Sequence, residues 1–254
     1  MKLEQDQVEQ AAKALLAFLD KKSKTDKTEL LPDKETAYLW ITITTKRIPA
    51  KLRVKPIGIP LKHSILPPTA EVCLITKDPQ SQFKQQLKDA GETRIDKVIG
   101  VSKLKAKFQA FEAKRQLCDS YDLFLADASV LPVLPRVLGK AFFKKKKLPV
   151  PIDLKKKDVS REISQALGST YLHLTTGVCN ALKVGKDSLT LKQNVENIMH
   201  CVQGAVDKIP GKWNNIQSIH LKSSTSVALP LFNALPDNDI IDDDEDESES
   251  NSDE

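Results

Sequence analysis

The sequence predicts an α/β protein in which a parallel-sheet module is inserted into an α+β unit built from both chain ends. Three observations predict it. Strand-like and helix-like segments alternate between two proline pairs, Pro67-Pro68 and Pro149/Pro151, and proline stops helices and ladders. The strands in that stretch are continuous apolar runs, as expected where helices cover both faces of a sheet. Outside the prolines, amphipathic helices and alternating strands occupy both flanks.

Taken in order, Val8, Ala11, Ala12, Leu15, Leu16 and Leu19 recur at helical spacing, which predicts an N-terminal helix. A lysine-rich connector, Lys21 to Lys27, follows. The β-branched and aromatic run Ala37–Thr44 is a strand, and Ile57–Pro60 ends a second, shorter one. Within the module, the pattern gives a strand over Val72–Thr76, a helix over Gln80–Ala90 and a strand over Lys97–Val101. A helix over Leu104–Leu117, a strand over Tyr121–Ala126 and a helical stretch over Val130–Phe143 complete it. Beyond Pro151, Val159–Leu167 is a short helix that Asp158 or Ser160 can cap. Tyr171–Leu174 and Ala181–Val184 read as a hairpin around Thr175-Thr176-Gly177. Leu191–Ile209 carries Val195, Ile198, Met199, Val202 and Val206 on one helical face, and Ile216–Leu221 is the last strand. The expected division is 1–66 plus 152–236 for the terminal unit and 67–151 for the inserted one, with a hinge at the prolines. The acidic segment 237–254 has too few apolar residues to order itself.

Charge narrows the function. The chain of 254 residues has 39 Lys+Arg and 34 Asp+Glu, a net of only +5. Eleven of the acids lie in 237–254, which has no basic residue. Without them 23 acids face 39 bases, a net of +16 over 1–236. A body this basic attracts polyanions, nucleic acid above all. No stretch approaches the roughly 20 apolar residues of a membrane span, and the N-terminus carries acids where a secretory signal would be apolar. Cys73, Cys118, Cys179 and Cys201 form no C-x-x-C pair, so neither a zinc site nor a disulfide framework is expected. Neither G-x-G-x-x-G nor G-x-x-x-x-G-K-[ST] occurs, only nine glycines are present, and His63, His173, His200 and His220 lie in different elements. Asp122 and Asp127 bracket a strand, where acids more often cap the following element than catalyse. The expectation is a non-enzyme with no cofactor, metal or small-molecule substrate.

The basic clusters are the candidate site. Lys144, Lys145, Lys146 and Lys147 follow Phe142-Phe143, and Lys155–Lys157 come soon after. Ammonium groups this dense repel one another unless phosphate or acid neutralises them, though a solvated loop or an import signal also fits. Lys46 and Arg47 follow the first strand, with Lys51, Arg53 and Lys55 beyond. Lys222-Ser223-Ser224-Thr225-Ser226 sets hydroxyls beside a cation, which suits phosphate oxygens and ribose 2′-OH groups; an ordinary turn is the competing reading.

The run Tyr121–Asp127, continuing through Leu131-Pro132-Val133-Leu134-Pro135-Arg136-Val137-Leu138-Gly139-Lys140-Ala141-Phe142-Phe143 to Leu148-Pro149-Val150-Pro151, resembles the ribosomal L-one family, which supplies the mobile stalk of the large ribosomal subunit. Thr176-Gly177, Val184-Gly185-Lys186, Glu196-Asn197-Ile198, Trp213 and Ile219-His220-Leu221-Lys222 continue the pattern, so that it covers roughly residues 5–232. It is most similar to the nucleolar branch, the ribosomal L-one domain-containing assembly factors. The resemblance implies a discontinuous α+β domain that grips folded ribosomal RNA and an inserted three-layer Rossmann-like domain that adds secondary contacts, joined by a two-stranded hinge. It implies RNA contacts at Thr42, Thr44, Lys46, Arg47, Lys62, Thr176, Gly177, Lys183, Lys186, Lys222, Ser223, Ser224, Thr225 and Ser226, besides the lysines at 144–147. Where stalk proteins carry T-M-G this chain has Ser224-Thr225-Ser226, which implies that its RNA affinity or its RNA target differs from theirs. The expected role is a nucleolar factor that binds precursor ribosomal RNA among other assembly factors. Small-subunit precursors are favoured, since the long basic C-terminal extension of some relatives is lacking. The alternatives are the stalk protein of mature ribosomes and, less favoured, a nucleotide-binding enzyme.

Overall fold

The structure, a computed structural model, describes residues 3–25, 37–48, 55–67, 69–145, 147–154, 156, 158–174 and 177–234. The lysine-rich connector beyond Thr25, Lys51, Arg53, Lys146, Lys155, Lys157, Thr175, Thr176 and the acidic segment lie outside them. Helix α1 spans Gln5–Thr25, and Val8, Ala12, Leu15 and Leu19 bury its apolar stripe. Strand β1, Tyr38–Thr45, alternates strictly: Leu39, Ile41 and Ile43 are fully buried, while Tyr38, Trp40, Thr42 and Thr44 share the opposite, half-buried face. The period of two places successive side chains on opposite faces. A short strand β2, Ile57–Pro60, leads into the central stretch.

There β3 (Val72–Thr76) is buried along its whole length. Helix α2 (Gln80–Asp89), strand β4 (Lys97–Gly100), helices α3 (Val101–Lys107) and α4 (Phe111–Ser120) and strand β5 (Leu123–Asp127) follow. Helices α5 (Leu134–Leu138) and α6 (Lys140–Lys144) precede β6 (Val150–Ile152) and α7 (Val159–Leu167). These strands form a parallel sheet in the order β4-β3-β5-β6. One face carries α3–α6, where Leu104, Leu117, Leu138 and Phe142 pack on Cys73, Ile75 and Phe124. The other carries α2 and α7, through Leu87, Val159 and Ile163 against Val72, Leu74 and Leu125.

Strand β7 (Ser169–Leu172) pairs only with β2 among the described residues, as a two-stranded antiparallel ribbon. Strand β8 (Cys179–Lys186), helix α8 (Leu191–Lys208), strand β9 (Ile216–Lys222) and strand β10 (Leu229–Asn233) close the chain. They complete an antiparallel sheet with β1, in the order β10-β9-β1-β8. The α1 and α8 stripes share one core with its inner face. Thr190 and Gln193 form a reciprocal capping box at the start of α8, satisfying two backbone donors that the first turn leaves without partners. No described helix is long and apolar enough to cross a membrane.

Several sequence expectations need correcting. The expected helix 104–117 is two helices broken at Phe108–Ala110, and the expected helix 130–143 is a turn followed by α5 and α6. Gly139 breaks the latter at φ +74°, a conformation that glycine adopts without strain. Strands β7 and β8 are not a hairpin, since β8 ladders with β1; Thr170 Oγ1 reaches the Lys183 carbonyl (2.6 Å) by its side chain instead. Pro151 sits within β6, opposite Ala126, rather than in a connector. Only an edge strand tolerates the lost donor, and β6 is the edge. Finally, β9 is not last: β10, interrupted by Pro230, continues the sheet. Asp127 holds the turn after β5, accepting the Ser129 N–H and hydroxyl (3.2 and 2.6 Å), whereas Asp122 accepts the N–H of Glu71, just before β3 (3.2 Å). Asp158 precedes α7 without capping it through its side chain.

Candidate nucleic-acid interface

The outer face of the antiparallel sheet is built by register. Lys183 on β8 and Lys222 on β9 stand opposite Trp40 from either side; Ala181 and His220 flank Thr42, and Cys179 and Ser218 flank Thr44. Lys183 lies over two rings, its Nζ 3.6 Å from the Tyr38 centroid and 5.3 Å from that of Trp40. Ammonium over an aromatic face is attracted to the ring quadrupole. Burial lowers the Lys183 pKa to about 8, and the positive charge of Lys147 adds to the effect while Asp122 opposes it. Burial, then Asp122 and Asp187, pushes the Tyr38 phenol up. The Thr42 hydroxyl is enclosed without a hydrogen-bond partner. A cation-and-aromatic row beside a hydroxyl row can hold phosphates, stack a base and meet a ribose.

The row's two ends carry further candidates. Beyond Lys222, the turn 223–226 is closed by its own side chains. Buried Ser223 accepts the N–H groups of Thr225 and Ser226 at 3.3 and 3.1 Å, and the Ser226 hydroxyl accepts the Ser223 N–H at 2.8 Å. Ser223 and Ser226 therefore shape the turn, whereas Ser224 and Thr225 are exposed on it. Lys186 stands opposite Tyr38 at the same end. Its neighbour Gly185 is required by packing, because a methyl group there would run into the buried Asn194 side chain. At the other end of β1, Lys46 and Arg47 are exposed. Asn215 holds their backbone, its main-chain and side-chain oxygens accepting the two N–H groups, each at 2.8 Å. Gly177 is exposed beside Val178, whose carbonyl accepts the Thr45 N–H and hydroxyl. Eight residues at ~3.3 Å rise make this face about 23 Å long.

Other candidates lie elsewhere. Lys62 is in the loop after β2, which docks on α8, the helix covering the inner face: His63 and Asn197 exchange N–H and carbonyl hydrogen bonds, both 2.9 Å. There His63 lowers the Glu196 pKa by a 3.1 Å hydrogen bond. The lysine run splits. Lys147 Nζ donates to the Cys118 and Tyr121 carbonyls (3.1 and 2.9 Å) at the end of α4, and Lys145 pairs with Asp119. Lys144 is exposed; Lys146 and Thr176 are outside the described residues. Among the described residues no group of three His, Cys, Asp or Glu side chains is placed to hold a metal ion. Sequence reasoning missed Tyr38, Trp40, Ser218 and His220, although the alternation of β1 and β9 already puts them on one face with Thr42 and Lys222.

The model of the ribosomal protein L1p/L10e family matches residues 15–227. A ribosome biogenesis protein of Schizosaccharomyces pombe is 39% identical over 243 residues, covering 89% of this chain and 65% of its own. The Ribosomal L1 domain-containing protein 1 of Mus musculus is 32% identical, covering 92% of this chain and 53% of its own. A second Schizosaccharomyces pombe ribosome biogenesis protein is 31% identical over 79% of this chain and 71% of its own. The chain thus spans between half and two thirds of the length of the first two.

Proposed function

Because the chain belongs to the ribosomal protein L1p/L10e family, in the branch of its ribosome biogenesis relatives, we propose that it is a non-catalytic ribosome assembly factor that binds precursor ribosomal RNA in nucleolar particles. The observation that carries this reading is the outer-face row in which Lys183 and Lys222 flank Trp40. Phosphate contacts from Lys46, Arg47, Lys183, Lys186 and Lys222 hold the backbone, while Thr44, Ser224 and Thr225 meet 2′-OH groups. Ser223, Ser226 and Gly185 keep that surface in shape, and exposed Gly177, next to the Val178 carbonyl that holds Thr45, extends it. The molecule divides into a terminal RNA-gripping unit and an inserted α/β unit, linked by the β2–β7 ribbon. The packing of α7 on the parallel sheet favours ending the inserted unit at Leu167 instead of Pro151. Other assembly factors in the particle are its protein partners.

The test is the salt dependence of binding to a structured precursor ribosomal RNA fragment. Each lost phosphate contact lowers the slope of log affinity against log salt by about 0.7–0.9, so Lys222→Ala should lower it by roughly that amount. An unchanged slope, or no binding by the parent at physiological salt, would remove the reading. Crosslinking the chain to RNA in cells should recover precursor rather than mature ribosomal sequences.

A further inference from the structure

We propose a second RNA site, for unstructured strands, on the outer surface of the α3–α6 layer. It shares only its ligand class with the function proposed above and uses a different surface. Charge is concentrated there: α3, α4, α5 and α6 carry eight basic and two acidic residues, whereas α2 and α7, on the other side of the same sheet, carry three and two. Both acids of the layer are neutralised locally, Glu112 by Arg115 (3.2 Å) and Asp119 by Lys145. The lysines of α3, at 103, 105 and 107, are all exposed, as are Lys140 and Lys144.

Aromatic rings stand among these cations. Phe111, at the first turn of α4, is 81% exposed, and Phe143 on α6 is 45% exposed. They are not surplus to the core, which takes the adjacent Phe142 instead, edge-on against Phe124 with centroids 4.9 Å apart. Lys114 Nζ lies 5.8 Å from the Phe111 centroid, and its side chain passes Gly139, tying the start of α4 to the start of α6. Phe111, 81% exposed among lysines, gains little from burial. It fits a ligand with both negative charge and flat apolar faces. Single-stranded nucleic acid has both: phosphates for the lysines and bases that stack on any aromatic face whatever the sequence. An acidic peptide satisfies the lysines but leaves the rings unused. The chain would then hold a folded RNA element on the antiparallel sheet and a neighbouring unpaired stretch on the helical layer.

Two probes separate the sites: an unstructured RNA of about 12 nucleotides, within the span that such surfaces cover, and the structured precursor fragment. Phe111→Ala with Phe143→Ala should weaken the unstructured RNA about tenfold or more and leave the structured fragment within about twofold. Trp40→Ala should do the reverse. Both phenylalanines are exposed, so the double variant should melt with the parent; Lys103→Glu with Lys107→Glu is a second pair that reads the same loss without touching a ring. The proposal is overturned if the parent ignores the unstructured RNA at physiological salt, or if both pairs of variants bind it like the parent. It is also overturned if binding appears only after residues 237–254 are deleted and the acidic segment, added as a peptide, displaces the RNA equally from parent and Phe variants; the layer would then be a seat for acid.

Discussion

Gly185→Ala should destabilise the protein by about 3–5 kcal/mol, although it adds one methyl group. Gly185 is buried in β8 beside the irregularity where the β1–β8 register shifts between Leu39 and Trp40. A Cβ there would overlap the Asn194 side-chain oxygen and press on Leu39 Cδ1 at 3.2 Å. Asn194 has no exposed surface, and its Nδ2 donates to the Lys186 and Leu189 carbonyls at 3.2 and 3.1 Å, fastening the β8–α8 turn. Rotating it away loses two hydrogen bonds, about 1 kcal/mol each. Whatever overlap remains costs about 1–3 kcal/mol as overpacking. Urea denaturation of the parent, Gly185→Ala, Asn194→Ala and the double variant makes a double-mutant cycle. Removing the Asn194 side chain also removes the obstruction, so the double variant should be more stable than the sum of the singles by about 1–3 kcal/mol. Additive losses, or a Gly185→Ala protein within about 0.5 kcal/mol of the parent, would refute the packing account. They would point instead to a role at the RNA surface, and substituting this glycine would then weaken RNA binding while sparing the fold.

Two further outcomes are expected. The Lys183 pKa is lowered to about 8 in the free protein; a bound phosphate favours the charged form, so above that pH binding must take up a proton. Affinity for the structured RNA should be flat below about pH 7 and fall roughly tenfold between about pH 7 and 9, and Lys183→Arg should abolish the fall. For stability the sign is opposite, because between about pH 8 and the usual lysine range the unfolded chain holds the extra proton, so rising pH there stabilises the fold. A pH-independent affinity would exclude Lys183 from the contact. Within the lysine run, Lys147→Ala should cost about 1.5–3 kcal/mol in urea denaturation, because it strips a charged donor from the Cys118 and Tyr121 carbonyls, whereas exposed Lys144→Ala should stay within about 0.5 kcal/mol. Equal effects of the two would show that Lys147 holds nothing.

Elements with an unambiguous period were legible in the sequence. β1 alternates, β3 is an uninterrupted apolar run, and α8 presents a helical stripe, so the sequence reading and the structure agree to within a residue or two at their ends. What escaped was decided by partners distant in the chain. β6 and β10 are short and each contains a proline, which argues against a strand until the strand is known to lie at an edge, where β6 and β10 both lie. The breaks at Phe108–Ala110 and Gly139 fall in stretches apolar enough to pass for single helices. Ser223 looked like a ligand hydroxyl because its neighbours are hydroxyls; only the closed turn shows it facing inward.

The same distinction governs how a nucleic-acid surface can be read from a sequence at all. Adjacent lysines are conspicuous, and 144–147 drew attention for that reason. Adjacency along the chain concentrates charge of one sign, and a fold relieves that repulsion by spending some of the charges on itself: Lys147 on the carbonyls ending α4, Lys145 on Asp119. Lys183 and Lys222 are separated in sequence and inconspicuous, yet the antiparallel register delivers both to Trp40. Strand geometry spaces them on opposite sides of an aromatic residue, so both can reach one ligand without crowding one another. The informative pattern was therefore the alternation Tyr38, Trp40, Thr42, Thr44 along the middle strand. Once one face of a central strand is known to be buried, its other face fixes where neighbouring cations must stand, and isolated basic residues on the flanking strands become stronger candidates than any run.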